Sequence, residues 1–408
     1  MSFSITRRSF MKSAALFSSM GLAPAFLTRA AEGEAPAING FKDDRVLVVL
    51  QLGGGNDGLN TVVPYTNDLY YRARPQIGIK KDQALRLTDE LGLNKNLEGL
   101  LGLYDAGKAA IVQGVGYPNP DRSHFRSMEI WHTASDSEQY LGDGWIGRYF
   151  DNCCSGTARP QAGVALGPER PQAFDGAKGL GVAFDNPDNF GWRPGKFTDT
   201  PDNFAKLNTP IAQTGSTLDF LRHTTSNAIM SSAEVKEAAN RAGLAGGAVA
   251  RKNGEAAFRT VAGLIRGGLQ TRIYYIAAGG FDTHANQTGT HDNLLKRLGE
   301  GLAQFQQQLE QDGTADRVMT MVFSEFGRRV EQNASGGTDH GTAAPMFLVG
   351  NGIKPGIHGA APNLADLDNG DLKHSVDFRS VYASVLQQWF EVDPAPILGQ
   401  TFATLPIV

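Results

Sequence analysis

The chain has almost no sulfur chemistry to offer. Its two cysteines are neighbours, Cys153-Cys154, and a bridge between adjacent residues is strained and closes no loop, so no disulfide framework holds the fold. It has no excess of positive charge, with 38 Lys and Arg against 42 Asp and Glu. That balance excludes nucleic acid and anionic membrane surfaces as the expected partners. No stretch of the sequence approaches the ~20 consecutive apolar residues of a spanning helix, so the mature chain is expected to have no membrane span. The 49 glycines follow no fixed period, which removes solenoid and collagen-like readings. Histidine is scarce, eight in 408 residues, and its positions are therefore informative.

The N-terminus reads as an address. Arg7 and Arg8 precede a modest apolar segment, Ala14 to Leu27, which exits through small residues at Ala30-Ala31. This resembles a twin-arginine signal, placed approximately at residues 1–31, and it implies the twin-arginine export machinery as a partner. Removing it takes away four cations and no acid, so the formal charge falls from −4 to about −8. That machinery exports folded cargo, which hints at a cofactor inserted before export.

The remaining chain alternates apolar runs with helical periodicity. Arg45 to Leu52, Ala109 to Val112, Thr271 to Ala278 and Val318 to Phe323 are continuous apolar runs of strand length, as expected for a parallel sheet buried on both faces. Leu294, Leu295, Leu298, Leu302, Phe305 and Leu309 mark one face of a long helix, and Phe378 to Trp389 mark another. The periodicity fades between residues 151 and 252, where Pro, Gly, Asn and Asp crowd 184–209. This region is expected to be a cap or insert that shapes a substrate pocket, with Phe190, Trp192, Phe197 and Phe204 as its own core.

Chemistry gathers where the strands end. The first run leads into Gly53-Gly54-Gly55-Asn56-Asp57, the third into Gly279-Gly280-Phe281-Asp282-Thr283-His284, and the fourth into Glu325 and then Asp339-His340. Asp57 is either a site acid or a turn-capping residue. Asp282 and His284 either share one metal or act as ligand and orienting partner. After the second run, Arg122-Ser123-His124 precede a helix, where Ser123 is either an activated nucleophile or an N-cap, with Arg122 and His124 beside it to stabilise substrate charge. His374, close to Asp377, precedes the last helix. Acids and imidazoles recurring at one sheet edge suit a divalent metal, zinc or manganese rather than calcium, and two such ions can serve an in-line displacement.

The stretches LQLGGGNDGLNTVVP, QGVGYPNPDRSHFRSMEIWHT, GGFDTHANQ, FSEFGRR and GGTDHGTAAPMF together resemble the twin-arginine-exported bacterial family called domain of unknown function 1501. That family is similar to the alkaline phosphatase and sulfatase superfamily. The resemblance implies an α/β, three-layer, alkaline-phosphatase-like sandwich over residues 41–408, with a mostly parallel sheet and 151–252 inserted. It also implies a phosphate or sulfate ester hydrolase, acting on a small or polymer-borne anionic ester. Asp57, Asp282, His284, Glu325, Asp339, His340 and His374 are then the candidate metal ligands, with Ser123 as nucleophile.

Two departures from that pattern matter. The superfamily's adjacent Asp-His pair at the end of the fourth run is replaced here by Glu325-Phe326, so either the following loop folds back to deliver Asp339-His340 or one metal site is altered. Neither cysteine lies in the motif that sulfatases convert to formylglycine. The rival expectation is a non-catalytic binding or assembly factor for a co-exported protein. Acids that diverge, or that pair with Arg328 and Arg329, would favour it.

Overall fold

The computed structural model describes residues 41–153, 159–190, 217–244 and 254–408. The expected export signal, Cys154, Trp192, Phe197 and Phe204 lie outside the described residues.

The centre is a nine-stranded sheet. Its strands are β1 Val46–Gly53, β2 Ala109–Gly116, β3 Gly163–Leu166, β4 Val182–Phe184, β5 Ile273–Gly279, β6 Val318–Phe323, β7 Ala344–Val349, β8 Gly356–His358 and β9 Val376–Asp377. Their order is β8-β2-β7-β6-β1-β5-β3-β4, with β9 also paired to β2. Only β7 runs antiparallel to its neighbours. Every residue of β6 and nearly all of β1 are buried, which is why these strands read as unbroken apolar runs and not as alternating ones.

Helices pack in two sets. Glu98–Asp105, Thr217–Arg241, Gly254–Arg266 and Gln287–Gln311 form one, and His124–Thr133, Trp145–Cys153, Phe378–Ser384 and Ala395–Leu398 the other. Sheet and helix sets make the layers of an α/β sandwich. On Gln287–Gln311 the buried stripe is Leu295, Leu298, Leu302, Phe305 and Leu309, the helical spacing expected, whereas Leu294 is only partly buried. Truncating one of these to Ala, for example Leu302→Ala, costs about 2–5 kcal/mol.

Within residues 151–252, β3 and β4 join the edge of the main sheet, so part of the expected cap is sheet layer. Phe190 packs against Phe184 there, ring centroids 4.9 Å apart. Thr217–Arg241, inside the same region, is one continuous helix.

The direction of the strands fixes where chemistry can gather. β1, β5, β6 and β2 all end at one edge, with Gly53 opposite Gly279 and Gln51 opposite Phe323. β7 starts at that same edge. Ligands of open α/β sheets bind outside this carboxyl end.

Candidate metal centre

Four side chains meet at this edge, namely His124, Asp282, His284 and His340. His124 opens the helix that follows β2, Asp282 and His284 follow β5, and His340 is brought in by the loop between β6 and β7. That loop folds back on itself. His340 forms an isolated antiparallel bridge with Arg328, Arg329 N–H donates to the Asp339 carbonyl at 3.0 Å, and Gly341 N–H donates to the Gly327 carbonyl at 2.9 Å. The loop that follows Glu325-Phe326 thus returns Asp339 and His340 to the strand edge. Gly341 permits it, because a Cβ there would stand 2.4 Å from the Arg328 backbone. Gly54, at φ +118°, lets the first strand-end pass beside the third, and a Cβ on it would lie 2.4 Å from the Asp282 nitrogen.

The ligand-type atoms converge. His340 Nε2 is 3.1 Å and His284 Nε2 3.0 Å from Asp282 Oδ1, and the two imidazole nitrogens are 2.9 Å apart. His124 Nε2 is 3.5 Å from Asp282 Oδ2 and is buried with no hydrogen-bond partner. Ligands about 2.0–2.1 Å from a tetrahedral zinc ion stand roughly 3.3 Å from one another, so these separations match the edges of such a site. His124, Asp282 and His340 in particular offer atoms all within 4.8 Å of each other.

Each imidazole is held from behind by an acceptor. His124 Nδ1 donates to Glu325 Oε1 at 2.8 Å, His284 Nδ1 to Asp339 Oδ1 at 3.2 Å, and His340 Nδ1 to the Arg122 carbonyl at 2.8 Å. Carboxylate and carbonyl oxygens only accept, so each Nδ1 carries a proton, and in the neutral imidazole Nε2 is the atom left to bind a cation. Such outer partners fix ligand orientation in metal sites. Phe326 packs against the rings of His124 and His340, at 4.9 and 4.8 Å, and walls one side.

Arg328, fully buried, donates to Asp282 Oδ1 at 2.6 Å and also to carbonyls of Gly54, Gly55, Phe281 and Thr338. Partial burial raises the Asp282 pKa, but Arg328, with His340 and His284, more than offsets it and holds the carboxyl at about 2. The hydrogen bond from Asn333 keeps Asp339 below its usual range, aided by His284 against a smaller burial effect.

The other expected site residues lie elsewhere or behind this shell. Asp57 is wholly buried, accepts from Arg74 Nη1 at 2.7 Å and caps the short helix Gly58–Thr61. Burial raises its pKa and the Arg74 charge lowers it further, so it stays ionised. Gln287 donates to the same Asp57 carboxylate and accepts from Thr283 and Thr338. Asp57 thus braces the segments bearing Asp282 and Asp339 without joining the cluster. Glu325 and Asp339 face the Nδ1 atoms of His124 and His284, on the side of the rings away from the cluster. His374 lines a separate hollow of about 270 Å³ with Glu325, Trp131 and Lys373. Burial lowers its pKa.

Ser123 is the N-cap residue of His124–Thr133, makes no side-chain cap bond, and does not line the open cavity in front of the cluster. The Arg122 guanidinium turns to Asp371, 3.1 Å away. His124, read from sequence as a charge stabiliser, sits among the converging ligand-type side chains. Its signal was present in the sequence, as a histidine at a helix start beyond a strand end, but its partner Glu325 is 201 residues away.

A family model described as "Protein of unknown function (DUF1501)" matches residues 109–398. No curated protein matches. Several solved structures are loosely similar. The C-terminal periplasmic domain of EcEptC from Escherichia coli is 9% identical, with 91% of this chain and 94% of that one covered and a TM-score of 0.40. A protein in the alkaline phosphatase superfamily from Vibrio parahaemolyticus is 10% identical, covering 90% and 71%, at 0.39. The lipoteichoic acid synthase LtaP from Listeria monocytogenes is 10% identical, covering 93% and 79%, at 0.37. Scores below 0.5 assign neither a chemistry nor any residue. Among the described residues no helix is long and apolar enough to cross a membrane.

Proposed function

The chain belongs to the family described as Protein of unknown function (DUF1501), and from the histidine cluster it carries we propose that it is an exported, metal-dependent hydrolase of phosphate or sulfate esters. One observation carries the reading. Three Nε2 atoms, with the Nδ1 protons committed to Glu325, Asp339 and the Arg122 carbonyl, converge on Asp282, and in the neutral imidazoles they leave three lone pairs facing one carboxylate. Lone pairs so disposed repel unless a cation lies between them, and a nitrogen-rich set with one carboxylate suits zinc best, with manganese the alternative.

A bound divalent cation would polarise an ester oxygen and offset its negative charge. The chain's own residues then divide the remaining work. Asp282 and the three histidines hold the cation, Glu325 and Asp339 fix the imidazoles, and Phe326 limits water on one side. Arg122 is committed to Asp371 and Arg328 to Asp282, so neither is available to an anionic substrate. Water, and not Ser123, is the attacking group in this reading. Export through the twin-arginine machinery to the periplasm is part of the same proposal.

The test uses mature protein treated with chelator, then assayed on 4-nitrophenyl phosphate, bis(4-nitrophenyl) phosphate and 4-nitrophenyl sulfate with and without zinc or manganese. Turnover is expected only with metal, to fall at least about a hundredfold in Asp282→Ala, and to survive in Ser123→Ala. Turnover that ignores the chelator and disappears in Ser123→Ala would overturn the assignment.

A second reading has one observation in its favour. Asp282 is already paired with Arg328, which weakens it as a ligand and is the pairing expected of a non-catalytic binding or assembly factor for a co-exported protein. The convergence of the histidines favours the hydrolase. A protein that binds no divalent ion and turns over no ester would leave the assembly role standing.

A further inference from the structure

The cavity in front of the cluster, about 460 Å³ and open to solvent, contains a second polar arrangement that the cluster does not use. Gln51 on β1, Tyr275 on β5 and His132 at the end of the His124–Thr133 helix form a relay. His132 Nε2 is 3.0 Å from Tyr275 Oη, and Tyr275 Oη is 2.6 Å from Gln51 Oε1. Tyr275 is buried, with one hydroxyl proton to give. That proton goes to the Gln51 carbonyl, so Tyr275 accepts from His132 Nε2–H. The free ends of the relay are then the Gln51 amide N–H groups, as donors, and the His132 Nδ1 lone pair, as acceptor. Turning the Gln51 amide over reverses the relay and still leaves one donor and one acceptor.

Both end residues line the cavity, and neither free atom is a buried orphan. Burial lowers the His132 pKa to about 4, so the imidazole is neutral at physiological pH. Phe125 lines the same cavity and is 91% exposed, with Met128 beside it. The remaining lining groups include Gln172, Glu129, Asp282 and Glu325.

These walls discriminate between ligand classes. A second anion would face three carboxylates. A purely apolar group would cover Phe125 but leave the relay ends unpaired, which is costly. Adjacent hydroxyls each donate and accept, and the C–H face of a ring packs on an aromatic side chain. We infer that this cavity binds an uncharged, polyhydroxylated ring of the sugar class, through Gln51 and His132 with Phe125 as its apolar platform. In the proposed hydrolase, on which this part rests, the ring is the alcohol portion of the ester, held beside the cluster.

The test is binding of neutral methyl glycosides (gluco, galacto, manno and N-acetylglucosaminide), with glycerol as the acyclic control, followed by ligand-observed NMR on the full mature protein. At least one glycoside is expected to bind more tightly than glycerol. It should bind about tenfold more weakly in Gln51→Leu and in Tyr275→Phe, and several-fold more weakly in Phe125→Ala, whose exposed position leaves folding untouched. Ser123→Ala, outside this cavity, should retain the binding. No glycoside binding to the wild type, or equal binding to all the variants, would overturn the inference. An active metal enzyme that binds no glycoside removes this inference alone. A metal-free, inactive protein that still binds one removes the hydrolase reading and leaves the sugar site.

Discussion

Asp57 and Asp282 look alike in the sequence and do opposite things in the fold. Each follows a glycine-rich end of a buried parallel strand, and the two strands are neighbours with Gly53 opposite Gly279. Asp57 meets Arg74, 17 residues on, is closed off from water, and becomes a brace. Asp282 keeps its side chain 47% exposed and meets His340, 58 residues on, together with His124 and His284. A strand-end acid becomes part of a site or of the scaffold according to which partner reaches it. The glycines only make the approach possible.

The comparison can be broken from either side. Arg74→Met leaves the Asp57 charge buried without its counter-ion, and the expected loss is about 3–5 kcal/mol in urea unfolding; a loss below about 1 kcal/mol would mean that Asp57 is no brace. Asp282→Ala should reverse the pattern. Metal affinity, read by calorimetry, falls at least about a hundredfold, while metal-free stability changes by less than about 1.5 kcal/mol, because Arg328 keeps its four carbonyl partners. Glu325→Gln and Asp339→Asn loosen the imidazoles and should each weaken metal binding about 10- to 100-fold. Unchanged affinity in both would remove these residues from the site's support.

The smallest effect is in acid. Arg328 and the neighbouring imidazoles hold the Asp282 carboxyl at about 2 in the fold, below its ordinary value. A depressed folded pKa contributes stability above the unfolded value, and that contribution is lost as pH falls from about 4 toward 2. Asp282→Asn should therefore flatten the stability of the metal-free protein over that window. A curve that steepens would contradict the Arg328–Asp282 pairing.

The sequence made the scaffold legible where burial is two-sided or stripe-like. The run 318–323 is β6 without adjustment, and the helix at Leu295–Leu309 presents the expected face. Elsewhere tertiary pairing overrode local pattern. The run at Ala109–Val112 continues to Gly116 because β7 and β9 pair along it, through a glycine at φ +62° that local reading takes for a loop. Residues 163–184 hold two short strands that pair with each other and join the main sheet only through distant β5, so they read as insert.

Within the site, Asp282, His284 and His340 were recognisable as ligand types at one sheet edge. Which acids face Nε2 and which face Nδ1 was not recognisable, because Glu325 and Asp339 are chemically as capable of binding metal as Asp282. Their role is set by the His Nδ1 that each one faces. His374, just ahead of β9, lines a separate hollow together with Glu325, a placement its position in the sequence does not reveal.

The most direct measurement is the metal content of mature protein purified from the periplasm, by elemental analysis, beside Asp282→Ala and an Asp339→Ala/His340→Ala double variant of matched fold. The account predicts near-stoichiometric zinc or manganese in the wild type and little in either variant. A well-folded wild type without bound metal, unable to take up zinc on titration, would contradict it.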